Sequence, residues 1–219
     1  GTSPFFYDVD SPAEFAVTTG GADVRNATPG VQAQVVLKSG GTQPHGGGRF
    51  YFEDDHLQTV NISDELALAL GSPTGNSNRI DTYSEYGFDL GGPLLENHVW
   101  VWGTVNKTNV TALTFNDLTD QVQAHNYALK ADGILTDTIR GNFTFFEDAR
   151  TENGRGAGVL RTAESAWNVA DPVRYYKGEG RFIFGPRWVA TARGAYITDA
   201  FTMTPAGGLT TDYFIDDTG

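Results

Sequence analysis

The residues able to do chemistry are scattered rather than gathered. His45, His56, His98 and His125 stand far apart, with no His-x-x-x-His or Glu-x-x-His spacing to hold a metal. Asp54-Asp55-His56 is the one compact set of titratable groups, and it falls where a strand gives way to a polar loop, so a solvated turn accounts for it. The tail from Asp212 to Gly219 (DYFIDDTG) offers oxygen atoms for calcium but lacks the spacing of an EF-hand loop. Gly46-Gly47-Gly48 precedes a strand and not a helix, so it is no phosphate cradle. Carboxylate pairs of the kind a glycosidase needs arise by chance on any charged strand face. Five N-x-S/T sequons, at Asn26, Asn61, Asn106, Asn109 and Asn142, arise equally easily in a chain rich in Asn and Thr. No catalytic residue, metal site or cofactor is expected, and the chain is not read as an enzyme.

Composition narrows the classes further. The 219 residues carry a net charge of -12, which argues against a nucleic-acid partner, since that needs a concentrated basic face. Cysteine is absent, excluding disulfide scaffolds and thiolate zinc sites. No apolar run approaches the ~20 residues of a membrane helix, but alternating barrel strands pass below that threshold. The chain opens and closes without a recognisable start or finish, and reads as a piece of something larger.

What the sequence does contain is two-faced strands. Between Pro172 and Thr202, Tyr176, Gly178, Gly180, Phe182 and Phe184 share one side of a strand, and Lys177, Glu179 and Arg181 the other. After a Gly185-Pro186 turn, Trp188, Ala190, Ala192, Gly194 and Tyr196 alternate with Thr191 and Arg193. Antiparallel pairing sets Phe184 near Trp188 and Tyr176 near Tyr196, giving two aromatic rows with small residues between them. Aromatic girdles flanking an apolar band mark the two interfaces of a transmembrane barrel. Nine extended residues cover roughly 26 Å, or about 20 Å of height at a barrel's tilt.

The same pattern recurs upstream. Tyr127, Leu129 and Ala131 alternate with Asn126, Lys130 and Asp132; Ile139, Gly141, Phe143 and Phe145 alternate with Arg140, Asn142 and Thr144. Tyr86, Phe88 and Leu90 (against Glu85 and Asp89) pair with the run from His98 to Lys107, and Phe50 and Phe52 alternate with Arg49, Tyr51 and Glu53. About seven strands follow from alternation. Short turns are predicted at 91–97, 133–137 and 185–187, and long polar links at 54–82, 109–121 and 150–172, with another starting near Thr202. One helix is predicted, over Ile62 to Leu70 with Ser63 as its cap, inside the first long link. Residues 1–40 differ: two short apolar runs, Phe15 to Val17 and Val31 to Leu37, flank a Gly/Asn/Pro-rich bend.

That first segment resembles the end of the plug domain of TonB-dependent outer-membrane receptors. The residues that carry the resemblance are Val17-Thr18-Thr19-Gly20-Gly21, then Pro29-Gly30-Val31, then the strand closing in Lys38-Ser39-Gly40. VTTGGADVRNATPGV is similar to the branch with an N-terminal carboxypeptidase-regulatory-like domain. His45 to Tyr51 and GFDLGGPL (Gly87 to Leu94) resemble that family's first barrel strand and its second strand with the periplasmic turn. Many members have an Arg-Gly pair after the first plug strand; this chain has Thr19-Gly20, so that plug–barrel salt bridge is not carried over.

The resemblance implies residues 1–40 as the C-terminal part of a plug and 41–219 as the N-terminal part of a barrel, an all-β fold built as a partial antiparallel transmembrane β-barrel. It implies the bacterial outer membrane, contact with its lipid, active uptake of an extracellular ligand, and energy coupling through a TonB complex that grips a segment before Gly1. Arg49, Glu53, Glu85, Asp89, Lys130, Asp132, Arg140, Lys177, Glu179, Arg181 and Arg193 become lumen-facing, and Tyr176, Phe184, Trp188 and Tyr196 lipid-interface aromatics. The competing expectation is a soluble, secreted β-sandwich that binds or cleaves carbohydrate, in which those aromatics pack against a second sheet.

Overall fold

The computed structural model describes residues 10–18, 32–59, 62–72, 77–158 and 161–209. They form an all-β, antiparallel structure. Strands β1 (Pro12–Thr18) and β2 (Gln32–Leu37) make a two-stranded sheet. The larger sheet contains β3 (His45–Asp54), β4 (Arg79–Leu95), β5 (Val99–Leu113), β6 (Thr119–Thr136), β7 (Ile139–Arg155), β9 (Val173–Phe184) and β10 (Trp188–Asp199), each beside its neighbour in that order. Two short strands, β8 (Trp167–Ala170) and β11 (Thr202–Pro205), extend the sheet beside the last residues of β7. The sheet is not closed: among the described residues β3 and β10 are its outer edges.

Alternation forms these strands, and local chemistry ends them. Asn97 takes a φ of 60° in the turn between β4 and β5, which Asn tolerates better than most residues, and His98 N–H donates to Leu95 O at 3.0 Å. Asp117, also at φ 60°, turns β5 into β6, where Thr114 N–H donates to Leu118 O at 2.8 Å. Gly185, at φ 66°, turns β9 into β10. Within the first long connection, Ser63 Oγ accepts from Leu66 N–H at 3.2 Å to cap α1 (Asp64–Leu70), and Gly71 closes it in the left-handed region.

The strands outrun the sequence expectation at both ends. β4 continues to Leu95, so the expected turn at 91–97 shrinks to three residues; that at 133–137 shrinks to Asp137-Thr138. The expected long link at 109–121 is a five-residue turn, because β5 reaches Leu113 and β6 starts at Thr119. Past the band the outer row turns polar (Asn109, Thr111, Gln121) while Val110 and Ala112 take the other face, so the band's alternation does not continue, yet the backbone groups still pair. β8 and β11 are likewise inside links expected to be irregular.

Gly154 marks where β7 bends to meet β8. Its φ is 83°, and a Cβ there would lie 2.1 Å from Thr119 O. Gly154→Ala is expected to cost about 1–3 kcal/mol, read as a lowered urea midpoint with an unchanged slope.

Candidate functional site: a polar wall and an apolar band

Pairing sorts the side chains into rows that cross the sheet. Asp89, Thr104, Ala128, Phe146 and Tyr175 are opposed strand by strand and therefore share a face. The β1–β2 hairpin lies on that face. Leu37, from β2, packs with Trp102, Ala128 and Phe146, and Val35 and Tyr175 border the cluster. Trp102 is wholly buried there. Such close seating depends on Gly40: a Cβ at that position would come within 2.4 Å of Val101 O.

Polar contacts ring this apolar seat. Lys130 Nζ donates to Leu37 O at 3.2 Å and to Ser39 Oγ at 2.5 Å. Lys38 Nζ stands 3.9 Å from Asp89 Oδ1, whose other oxygen accepts from Trp102 Nε1 at 3.3 Å. Arg49 Nε reaches Asp10 at 2.9 Å and Glu85 at 3.6 Å. Glu85 also accepts from Asn106 Nδ2 at 3.4 Å and from the Tyr83 hydroxyl. A buried carboxylate is costly unless it is paired or hydrogen-bonded, and here both Glu85 and Asp89 are.

The opposite face is apolar and, among the described residues, uncovered. One row runs Leu90, Gly103, Leu129, Phe145, Tyr176, Tyr196 across six strands. Ring centroids are 5.1 Å apart for Phe145–Tyr176 and 6.4 Å for Tyr176–Tyr196. Toward the β9–β10 turn, Phe184 opposes Trp188. Tyr176 and Tyr196 oppose each other too, so the two aromatic ends of this hairpin are in register. Trp188 is 75% exposed, Tyr196 65% and Phe184 61%; no second sheet lies over them among the described residues. Charged groups on this face of β5 to β9 stand only beyond the aromatic row, toward the long connections: Lys107 opposes His125, and Glu147 pairs with Arg174 at 3.0 Å.

Ten of the eleven expected wall residues divide into two groups. Arg49, Glu85, Asp89 and Lys130 are brought together by the hairpin. Asp132, Arg140, Lys177, Glu179, Arg181 and Arg193 lie on the same face by register, beyond the hairpin, with Arg193 Nε 2.8 Å from Glu179. Glu53 opposes Tyr83 at the far end of β3. Of the plug-end motif, Val17 is exposed on β1, and Lys38 and Gly40 make the contacts above. Thr19, Gly20, Gly21, Pro29, Gly30 and Val31 lie outside the described residues.

Sequence reasoning missed Trp102, Asp10 and the buried pair in which Asn126 Nδ2 donates to Asp148 Oδ1 at 2.8 Å. Asp148 was legible in principle, because it keeps the parity of Arg140. Trp102 was not, since an aromatic on the polar face makes sense only once the hairpin is seated on it.

Asp54, Asp55 and His56 do converge, with three candidate ligand atoms within 4.8 Å of one another. Asp54 Oδ1 accepts from His56 N–H at 3.1 Å and lies 2.7 Å from His56 Nδ1; Asp55 lies 2.5 Å from the same nitrogen. The imidazole is largely exposed and its inner nitrogen already engaged, so the geometry is that of a salt-linked turn. The hydrogen bond that the imidazole donates to Asp54, then the charge of Asp55, raises the imidazole above its ordinary range. The contribution to the turn is therefore complete below the unfolded histidine value and fades as pH rises through the raised one.

Asp54→Asn is expected to return the His56 titration toward its ordinary value, followed by imidazole chemical shifts. With Trp102 kept as the sole tryptophan, Gly40→Val is expected to shift its emission to the red and open it to iodide, because the hairpin can no longer lie flat. The chain matches no family model, no curated protein and no solved structure, so its functional reading rests on the two faces of the sheet.

Proposed function

We propose that the chain is part of a TonB-dependent outer-membrane receptor, with residues 1–40 the end of the plug and 41–219 the first strands of a transmembrane barrel. The observation that carries this reading is the opposition of the faces: an uncovered apolar band with aromatic ends on one side, and on the other a charged wall on which a hairpin is docked. A soluble sheet has reason to cover such a band, whereas lipid covers it for a barrel. A barrel also satisfies its backbone without water, and the unpaired edges at β3 and β10 are where further strands would close it. The soluble-sandwich alternative needs a second sheet over Tyr176, Phe184, Trp188 and Tyr196, and these are exposed.

In this reading the work is transport of an extracellular ligand, with no covalent chemistry on it. Lipid meets the apolar band; the polar wall holds the plug through contacts weak enough to be rearranged. Lys130 on Leu37 O, Lys38 with Asp89 and Arg49 with Asp10 are individually modest, and an energy-coupling complex pulling a segment before Gly1 would break them in turn.

The test uses the full-length polypeptide folded into lipid vesicles. Ala192 shares the apolar face and Thr191 the wall, and both are exposed. Ala192→Lys is expected to cost about 2–4 kcal/mol of folding stability in the bilayer while Thr191→Lys stays near neutral. Equal tolerance of both, or folding that ignores lipid, would overturn the proposal.

A further inference from the structure

Where β9 gives out at Val173, its line does not end. Asp148 opposite Val173 and Thr151 opposite Ala170 keep one register, and so do Asp199 opposite Val173 and Thr202 opposite Ala170. The β8–β11 ribbon is therefore the outer continuation of the β9–β10 hairpin. Each of its strands is interrupted, at Asp171-Pro172 and at Ala200-Phe201. Pro172 has no N–H to give at the break, and Asp171 N–H, donating to Arg150 O at 3.0 Å, ties it to β7.

Charge gathers at this break, on the wall side and above the aromatic row. The register sets Asp171 opposite Arg150, and Glu152 and Asp120 share their face. Arg150 Nη2 donates to Glu152 at 3.1 Å, and its Nη1 stands 3.9 Å from Asp171; Arg155 Nε is 3.9 Å from Glu152. Asp199, at the end of β10, adds negative charge beside Asp171, while β8 and β11 bring no titratable side chain. Three carboxylates thus share two guanidinium groups, and one oxygen each of Asp120 and Asp171 is buried without a hydrogen-bond partner. An ionised carboxylate so placed is costly, whereas a protonated one sheds its charge and can donate. Burial holds Asp120, Glu152 and Asp171 above the ordinary carboxylate range, and the charge of Asp120 adds to it for Glu152.

We infer that this break is a proton-operated hinge: a proton taken up among Asp120, Glu152 and Asp171 holds the β8–β11 ribbon in line with β9–β10, and its release lets the ribbon open. When the ribbon swings away the carboxylates regain water and their ordinary proton affinity. The closed form therefore binds the proton more tightly than the open one. Its stability grows as pH falls through the raised value, levels off below the ordinary one, and is lost as pH rises again. The hinge rests on the ribbon's register and not on what covers the apolar face, so it and the membrane proposal fail separately.

The test measures backbone hydrogen–deuterium exchange by mass spectrometry in the full-length folded protein, from about pH 8 to about pH 4, each rate divided by the intrinsic rate at that pH. Protection of β8 and β11 is expected to rise about tenfold on acidification, while that of β9 stays level. Asp171→Asn and, on a different strand, Asp120→Asn each supply a permanently neutral group. Either should give the acid-form protection already at the alkaline end. Glu147→Gln neutralises a carboxylate on the opposite face, paired with Arg174, and should leave the pH dependence intact. Flat protection in the parent, an equal rise in β9, or a pH dependence that survives both Asn variants would each overturn the inference.

Discussion

Everything described depends on register. In the six ladders from β3 to β10, residues are held opposite their partners by backbone hydrogen bonds, apart from register shifts at Asp81, Leu94 and Leu135, and side chains alternate between faces with period two. A slip of one residue in β6 would carry Lys130 and Asp132 into the apolar band and Leu129 and Ala131 onto the wall. Register is strongly specified wherever the two faces differ this much. The seat for β1–β2 exists because Trp102, Ala128 and Phe146 fall on one side of three neighbouring strands, and the aromatic row exists because Leu129, Phe145, Tyr176 and Tyr196 fall on the other.

The hairpin turns that sorted sheet into a specific surface. Its grip has a small apolar centre, where Leu37 meets Trp102, and a rim of pairs in which Lys38, Lys130 and Arg49 each answer an oxygen. Such an arrangement gives position more than strength: hydrogen bonds and ion pairs fix the angle of the hairpin, while the buried contact is only a few side chains across. Gly40 lets the chain leave the seat close against the β5 backbone.

The sequence revealed the central strands and hid their ends, for a physical reason. Where one face is apolar and the other charged, as from Tyr176 to Phe184, alternation reads directly, and the Phe184–Trp188 and Tyr176–Tyr196 pairings follow from the turn at Gly185. Above the band the outer row turns polar at Asn109, Thr111, Gln121 and Gln123 while Val110 and Val122 oppose each other on the wall side, so the apolar pattern that marks the band no longer reads through. The helix cap at Ser63 was legible because capping is local. Trp102, Asp10 and the Asn126–Asp148 pair were not, because each owes its role to a residue far away in the chain.

The central claim, that one face of this sheet meets lipid and the other water, is tested most directly by spin labels placed singly at every position from Tyr176 to Phe184 in the full-length protein in bilayers. Accessibility to oxygen, which dissolves in lipid, and to a water-soluble nickel chelate is then compared residue by residue. The account predicts two opposed waves of period two, with oxygen highest at 176, 178, 180, 182 and 184 and nickel highest at 177, 179, 181 and 183. Two waves in phase, with nickel reaching the aromatic positions as readily as the charged ones, would contradict it.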